Sequence, residues 1–113
     1  MERLRQRADF VAVAGAARVN GPAFVLQSRR RGDGGPIRVG FTVTKKIGTA
    51  TERNRIRRRL RELVRQADQA LIPPQSDYVL VGRRPALTRD FAVMLGDLRS
   101  ALDRIARGSS KPD

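Results

Sequence analysis

Apolar residues recur along this chain with two distinct periods. Between 37 and 44 they alternate. Ile37, Val39, Phe41 and Val43 fall on one side, Arg38, Gly40, Thr42 and Thr44 on the other, as in a strand buried on one face. Gly40 leaves room on the polar face for a neighbour to approach. Residues 23–28 predict a second strand, with Phe24 and Leu26 on one side and Val25 and Gln27 on the other; residues 77–82, Asp-Tyr-Val-Leu-Val-Gly, predict a third. From 50 to 71 the period lengthens to that of a helix, and Ile56, Leu60, Leu63, Val64, Ala67 and Leu71 share one stripe. Thr49 followed by Glu52 is a capping box at its start, and Pro73-Pro74 is expected to end it. A short helix is expected from Ala8 to about Gly15. A last helix, with Thr88 as its N-cap, carries Phe91, Met94, Leu95, Leu98, Leu102 and Ile105 on one stripe to about residue 106.

The connections are read from their punctuation. Residues 1–7, with Arg3, Arg5 and Arg7, form a basic arm, and Val19-Asn20-Gly21-Pro22 a turn. Arg29 to Pro36 is expected to be a hairpin connection with three exposed arginines, Arg29, Arg30 and Arg31, serving either as a solubilising tip or as an RNA contact. Gly108 to Asp113 reads as a flexible polar tail. The order is helix, strand, strand, helix, strand, helix: an α+β sandwich of sheet and helices, one domain over residues 1–107.

Charge changes the picture of the central helix. Its polar side carries Asn54, Arg57, Arg58, Arg61 and Arg65, flanked by Arg55 and Arg59. Solvated helical faces usually alternate in sign. This face is nearly all one sign, so its arginines repel one another by about 0.2–0.5 kcal/mol per i,i+4 pair. A polyanion lying along it would relieve that repulsion, and the guanidinium fork grips phosphate oxygens bidentately. The whole chain agrees. In 113 residues the formal net charge is +13, and all but three of the 24 basic residues are arginine. That balance points to nucleic acid or an anionic surface.

Other chemistry is scarce. There is no cysteine and no histidine, which removes disulfides, thiolate nucleophiles and the commonest general base and metal ligand. No carboxylates pair at i,i+3 or i,i+4 on a predicted helix, and Glu52 and Glu62 stand about 15 Å apart along theirs. No active site borne by the protein is expected. No apolar run approaches the roughly 20 residues that span a bilayer, and Met1-Glu2-Arg3-Leu4-Arg5 opens no signal segment. A cytoplasmic location is expected.

Three segments together resemble one family, the bacterial ribonuclease P protein component. They are Val39-Gly40-Phe41-Thr42-Val43-Thr44-Lys45-Lys46-Ile47-Gly48, then Ala50 to Arg61 with its intact Arg53-Asn54-Arg55, then Asp77-Tyr78 through Arg83-Arg84-Pro85-Ala86. Arg7-Ala8-Asp9-Phe10 and Phe24-Val25-Leu26 fit in order. The resemblance implies the fold of the second domain of ribosomal protein S5, with a helix crossing between two parallel strands in the uncommon left-handed sense. It implies a non-catalytic protein cofactor of an RNA endonuclease, which cuts precursor tRNA to leave the mature 5′ end with magnesium ions held mainly by RNA. On this resemblance Lys45, Lys46, Arg53, Asn54, Arg55, Arg57, Arg58 and Arg61 bind the catalytic RNA. Phe10, Val25, Gln27, Thr42 and Thr44 form a cleft for the single-stranded 5′ leader, Phe10 being equally well read as a core residue. Family members often carry an aromatic at the place of Ala14 and a tyrosine at that of Gln27, so this cleft should rely more on phosphate contacts and on Gln27. A ribosomal or general RNA-chaperone protein is the alternative that composition alone also allows.

Overall fold

The computed structural model describes residues 2–31, 35–67 and 76–107. In chain order these form β1 (Glu2–Arg3), α1 (Arg7–Ala14), β2 (Ala17–Asn20), β3 (Phe24–Arg30), β4 (Arg38–Thr42), a 3-10 turn (Lys45–Ile47), α2 (Ala50–Gln66), β5 (Ser76–Gly82), a second 3-10 turn (Arg84–Leu87) and α3 (Phe91–Ala106). The α+β class and the three helices are as the periodicity predicted.

One five-stranded sheet runs in the order β1-β4-β5-β3-β2. β5 lies antiparallel to β3, with Leu26 opposite Leu80, and parallel to β4, with Val39 opposite Tyr78. β4, α2 and β5 therefore make a parallel strand–helix–strand unit. The expected hairpin between β3 and β4 does not form, because β5 occupies the place between them. That is a non-local outcome: β5 is the most continuously apolar strand, and only the centre of a sheet covered on both faces buries both of its sides.

One face of the sheet carries α2 and α3. Their stripes, Ile56, Leu60, Leu63 and Val64 from α2 and Met94, Leu98, Leu102 and Ile105 from α3, close over Phe24, Leu26, Val39, Tyr78 and Leu80. Ile56, Leu60 and Leu63 are fully buried, worth about 1.5–3 kcal/mol each. α2 sits close on β5 because position 82 is glycine: a Cβ there would come within 2.9 Å of Ile56 Cγ2 and 3.0 Å of Val43 Cγ2. The other face carries α1, where Val13 and Leu4 pack on Val79, with Phe10 and Val81 beside them.

Several boundaries differ from expectation. α2 ends at Gln66, and Ala67 is already extended (φ −67°, ψ 148°) though still buried; Leu71 and Pro73-Pro74 lie outside the described residues, as does the tail 108–113. The N-cap of α3 is Asp90, whose side chain accepts from the Val93 amide, while Thr88 only closes the preceding 3-10 turn. Val19 and Asn20 belong to β2, pairing with Leu26 and Val25, and only Gly21-Pro22 turns. The start of the basic arm is β1, parallel to β4. Arg29 and Arg30 continue β3, and Arg31 is buried rather than exposed, its side chain only 7% accessible against Asp77.

Candidate nucleic-acid interface

The capping box holds α2 in place. Thr49 Oγ1 accepts from the Glu52 amide at 3.2 Å, and Glu52 Oε1 accepts from the Thr49 amide at 2.9 Å. Arg84 ties the preceding loop to the same carboxylate: its Nη2 reaches Glu52 Oε2 at 3.0 Å and its Nη1 reaches the Ile47 carbonyl at 2.8 Å. Arg84 and the Thr49 amide together hold the Glu52 carboxyl down to about 2. The 3-10 turn that presents exposed Lys45 and Lys46 is thereby anchored at its end.

With the apolar stripe of α2 pressed on the sheet, the arginines are sorted by what they touch. Asn54, Arg55, Arg58 and Arg61 are exposed, and Arg55 and Arg58 have no acidic partner among the described residues. Arg57 is half-buried; it donates to Asn54 Oδ1 at 3.0 Å and to the Val43 carbonyl at 3.4 Å, which couples α2 to the end of β4 without neutralising the charge. Arg53 Nε donates to the Gly48 carbonyl at 3.3 Å. The residues expected to bind the catalytic RNA thus form one contiguous surface, from Lys45 and Lys46 down the solvent side of α2.

Two arginines of that helix do something else. Arg59 turns inward and clamps the loop before α3, donating to the carbonyls of Ala86 and Arg89 at 2.6 Å each. Arg65 is paired with Glu62, Nε to Oε1 at 2.9 Å, so the far end of the face is locally neutral and the Glu62 carboxyl is held down to about 2. Periodicity puts Arg65 among the phosphate-gripping side chains and misses this pairing, although a Glu three residues before an Arg is its signal.

On the opposite face of the sheet, α1 and the strands enclose an open groove of about 530 Å³. Phe10, Gln27 and Thr42 line it, but Val25 does not, nor does Thr44, which lies past the end of β4. Phe10 is half-buried and rests on Gly40, where a Cβ would fall 2.6 Å from its ring. The neighbour for which Gly40 leaves space is this side chain, which packs on the sheet and also walls the groove. Ala14 also lines the groove. Sequence reasoning missed Val11, Val79 and Val81 on the apolar walls and Arg5 and Arg7 at the mouth. Val11, exposed by 62%, is the most exposed large hydrophobic side chain among the described residues.

Among the described residues the carboxylates are almost all occupied. Asp9, Glu52, Glu62, Asp77, Asp97 and Asp103 each lie within 4 Å of an arginine nitrogen, and Asp90 caps α3. Among the described residues no three His, Cys, Asp or Glu side chains converge as a metal-donor set.

A family model described as Ribonuclease P matches residues 1–106. The chain belongs to the ribonuclease P protein family. It is 50% identical over 101 residues to the ribonuclease P protein component of Gluconacetobacter diazotrophicus, covering 88% of this chain and 87% of that one. It is 45% identical over 115 residues to that of Caulobacter vibrioides, covering 97% and 77%. The ribonuclease P protein of Thermotoga maritima superposes with a TM-score of 0.76 at 31% identity, over 92% of this chain and 97% of that one. Membership in this ribonuclease P family was legible in the Arg53-Asn54-Arg55 block and the Lys45-Lys46 turn before it.

Proposed function

We propose that this chain is the protein subunit that binds the RNA of ribonuclease P and the 5′ leader of precursor tRNA, and so assists the cut that leaves the mature tRNA 5′ end. The observation that carries the reading is the solvent side of α2: a run of arginines and Asn54, exposed, nearly free of carboxylates, and rigidly backed by a buried apolar stripe. Rigidity matters because guanidinium groups fixed in place lose little entropy when phosphates dock. In this reading Lys45, Lys46, Arg53, Asn54, Arg55, Arg57, Arg58 and Arg61 lie against the catalytic RNA. The groove of Phe10, Gln27 and Thr42 holds the leader, with Arg5 and Arg7 taking its phosphates.

The hydrolysis itself belongs to the RNA and its magnesium ions. Among the described residues most carboxylates are held by arginines and none converge as a metal-donor set; in this reading the protein acts by neutralising phosphates and by positioning the leader. Each neutralised phosphate also lowers the repulsion that magnesium must otherwise screen. Cleavage of a precursor tRNA by the catalytic RNA at low magnesium, with and without this protein, tests the reading directly. The expected result is rescue by the wild-type chain and weaker rescue by Arg53→Ala/Arg55→Ala. A general RNA chaperone would bind RNA and leave this rate unchanged.

A further inference from the structure

A second groove, of about 430 Å³, lies on the other side of β4, between that strand, β1 and the basic side of α2. Its floor is apolar, made by Val39, Phe41 and Val64. Phe41 is half-buried and alternates away from Gly40 and Thr42, so its ring packs against the core beneath α2, while the residue also contributes to the edge of the α1 groove. The rim carries Arg3, Arg61 and Arg65, with Glu2 the only carboxylate. Arg65 already holds Glu62, which leaves Arg3 and Arg61 as its uncompensated cations.

The Arg61 guanidinium stands over the Phe41 ring, 5.9 Å from its centroid. That is the outer limit of a cation–π attraction, so neither group is tightly engaged by the other. A flat apolar floor under a guanidinium rim is complementary to a nucleobase and its phosphate, since bases stack on aromatic rings and on guanidinium planes alike. A base inside a duplex is already stacked on both sides. An unpaired one has a face to offer.

We propose that this groove binds one unpaired nucleotide of RNA, its base stacking against Phe41 and Arg61 and its phosphate held by Arg3. The inference rests on the reading of α2 as an RNA-binding helix and adds a site on the opposite side of β4 from the leader groove.

The test uses the intact chain and two ten-nucleotide probes: an oligoadenylate, and the same sugar–phosphate backbone without bases. With only four phenylalanines in the chain, the Phe41 ring signals can be followed by NMR. The expected result is an upfield shift of those signals with the oligoadenylate. Phe41→Leu, which keeps the floor apolar, should weaken oligoadenylate binding about five- to tenfold and abasic binding less than about twofold. Arg61→Lys, an exposed change that keeps the charge and removes the plane, should act in the same direction and guards against misfolding of the first variant. Salt-dependent binding with unmoved Phe41 signals and wild-type affinity in both variants would overturn the site while leaving the RNA-binding reading standing. No binding of either probe, nor of the catalytic RNA, would overturn both.

Discussion

Arginines meet two fates in this molecule. At the start of β5, Asp77 is fully buried, and Arg31 and Arg38 both close on it; Arg38 gives Nε to Oδ1 and Nη2 to Oδ2, each at 2.8 Å, and a further contact at 3.4 Å to Asp9 of α1. Burial works to raise the Asp77 carboxyl, but the hydrogen bonds and charges of Arg38 and Arg31 outweigh it and hold it below its usual range; Arg38 is in turn raised by Asp77. On α2 the same residue type stands in water, with Arg55 and Arg58 unpaired among the described residues. The first group fastens α1, β3, β4 and β5 together. The second fastens nothing among the described residues and, in the proposed reading, is left for an external anion. The distinction lies in the presence or absence of a buried carboxylate, which no count of arginines reveals.

The comparison can be broken most forcefully at Asp77. Asp77→Ala leaves two guanidinium groups facing an apolar void, and unfolding in urea should show a loss of about 3–5 kcal/mol, toward the lower figure because Arg38 is partly exposed. A loss under about 1 kcal/mol would mean that the cluster is ornamental. Next comes Arg59, the helix arginine that behaves like the buried set. Arg59→Met should cost about 1–3 kcal/mol, through the loss of two charged hydrogen bonds to carbonyls, and should barely change RNA affinity. Acid offers a third probe. Glu52 titrates at about 2 in the folded chain against an ordinary 4.5, and Glu62 and Asp77 are lowered too. Groups with depressed folded values stabilise the fold above their unfolded values, so melting temperature should be level near neutrality and fall as pH drops from about 4.5 toward 2. A rise over that interval would contradict the assignment. The smallest effect on stability is expected at Arg58. Arg58→Ala should change it by less than about 0.5 kcal/mol, or raise it slightly by relieving repulsion.

What could be read from the chain follows the same line between local and distant. α2, its capping box and its two-sided pattern were legible because each depends on residues three or four apart. The alternation in β4 was legible for the same reason. The insertion of β5 between β3 and β4 was not, since strand order is decided by which strand buries both faces. Nor was the burial of Arg31, whose partner Asp77 is 46 positions away. β1 escaped notice because two residues carry no period, and the end of α2 because Ala67 keeps an apolar place in the core after the helix has stopped. In the α1 groove, Gln27 and Thr42 came together as strand alternation implied and Phe10 joined them as the family resemblance implied, while Val25 lines no part of it. The groove's outer wall, Val11, depends on where α1 docks, which Gly40 decides from across the fold.

Affinity for the catalytic RNA measured against salt tests the central claim most directly. With about six phosphates neutralised by the α2 face, the logarithm of affinity should fall against log salt with a slope of roughly −4 to −5. Arg55→Ala/Arg58→Ala should make that slope shallower by about 1.5 while the fold stays as stable as before. An unchanged slope in the double variant would place the phosphates elsewhere and contradict the account.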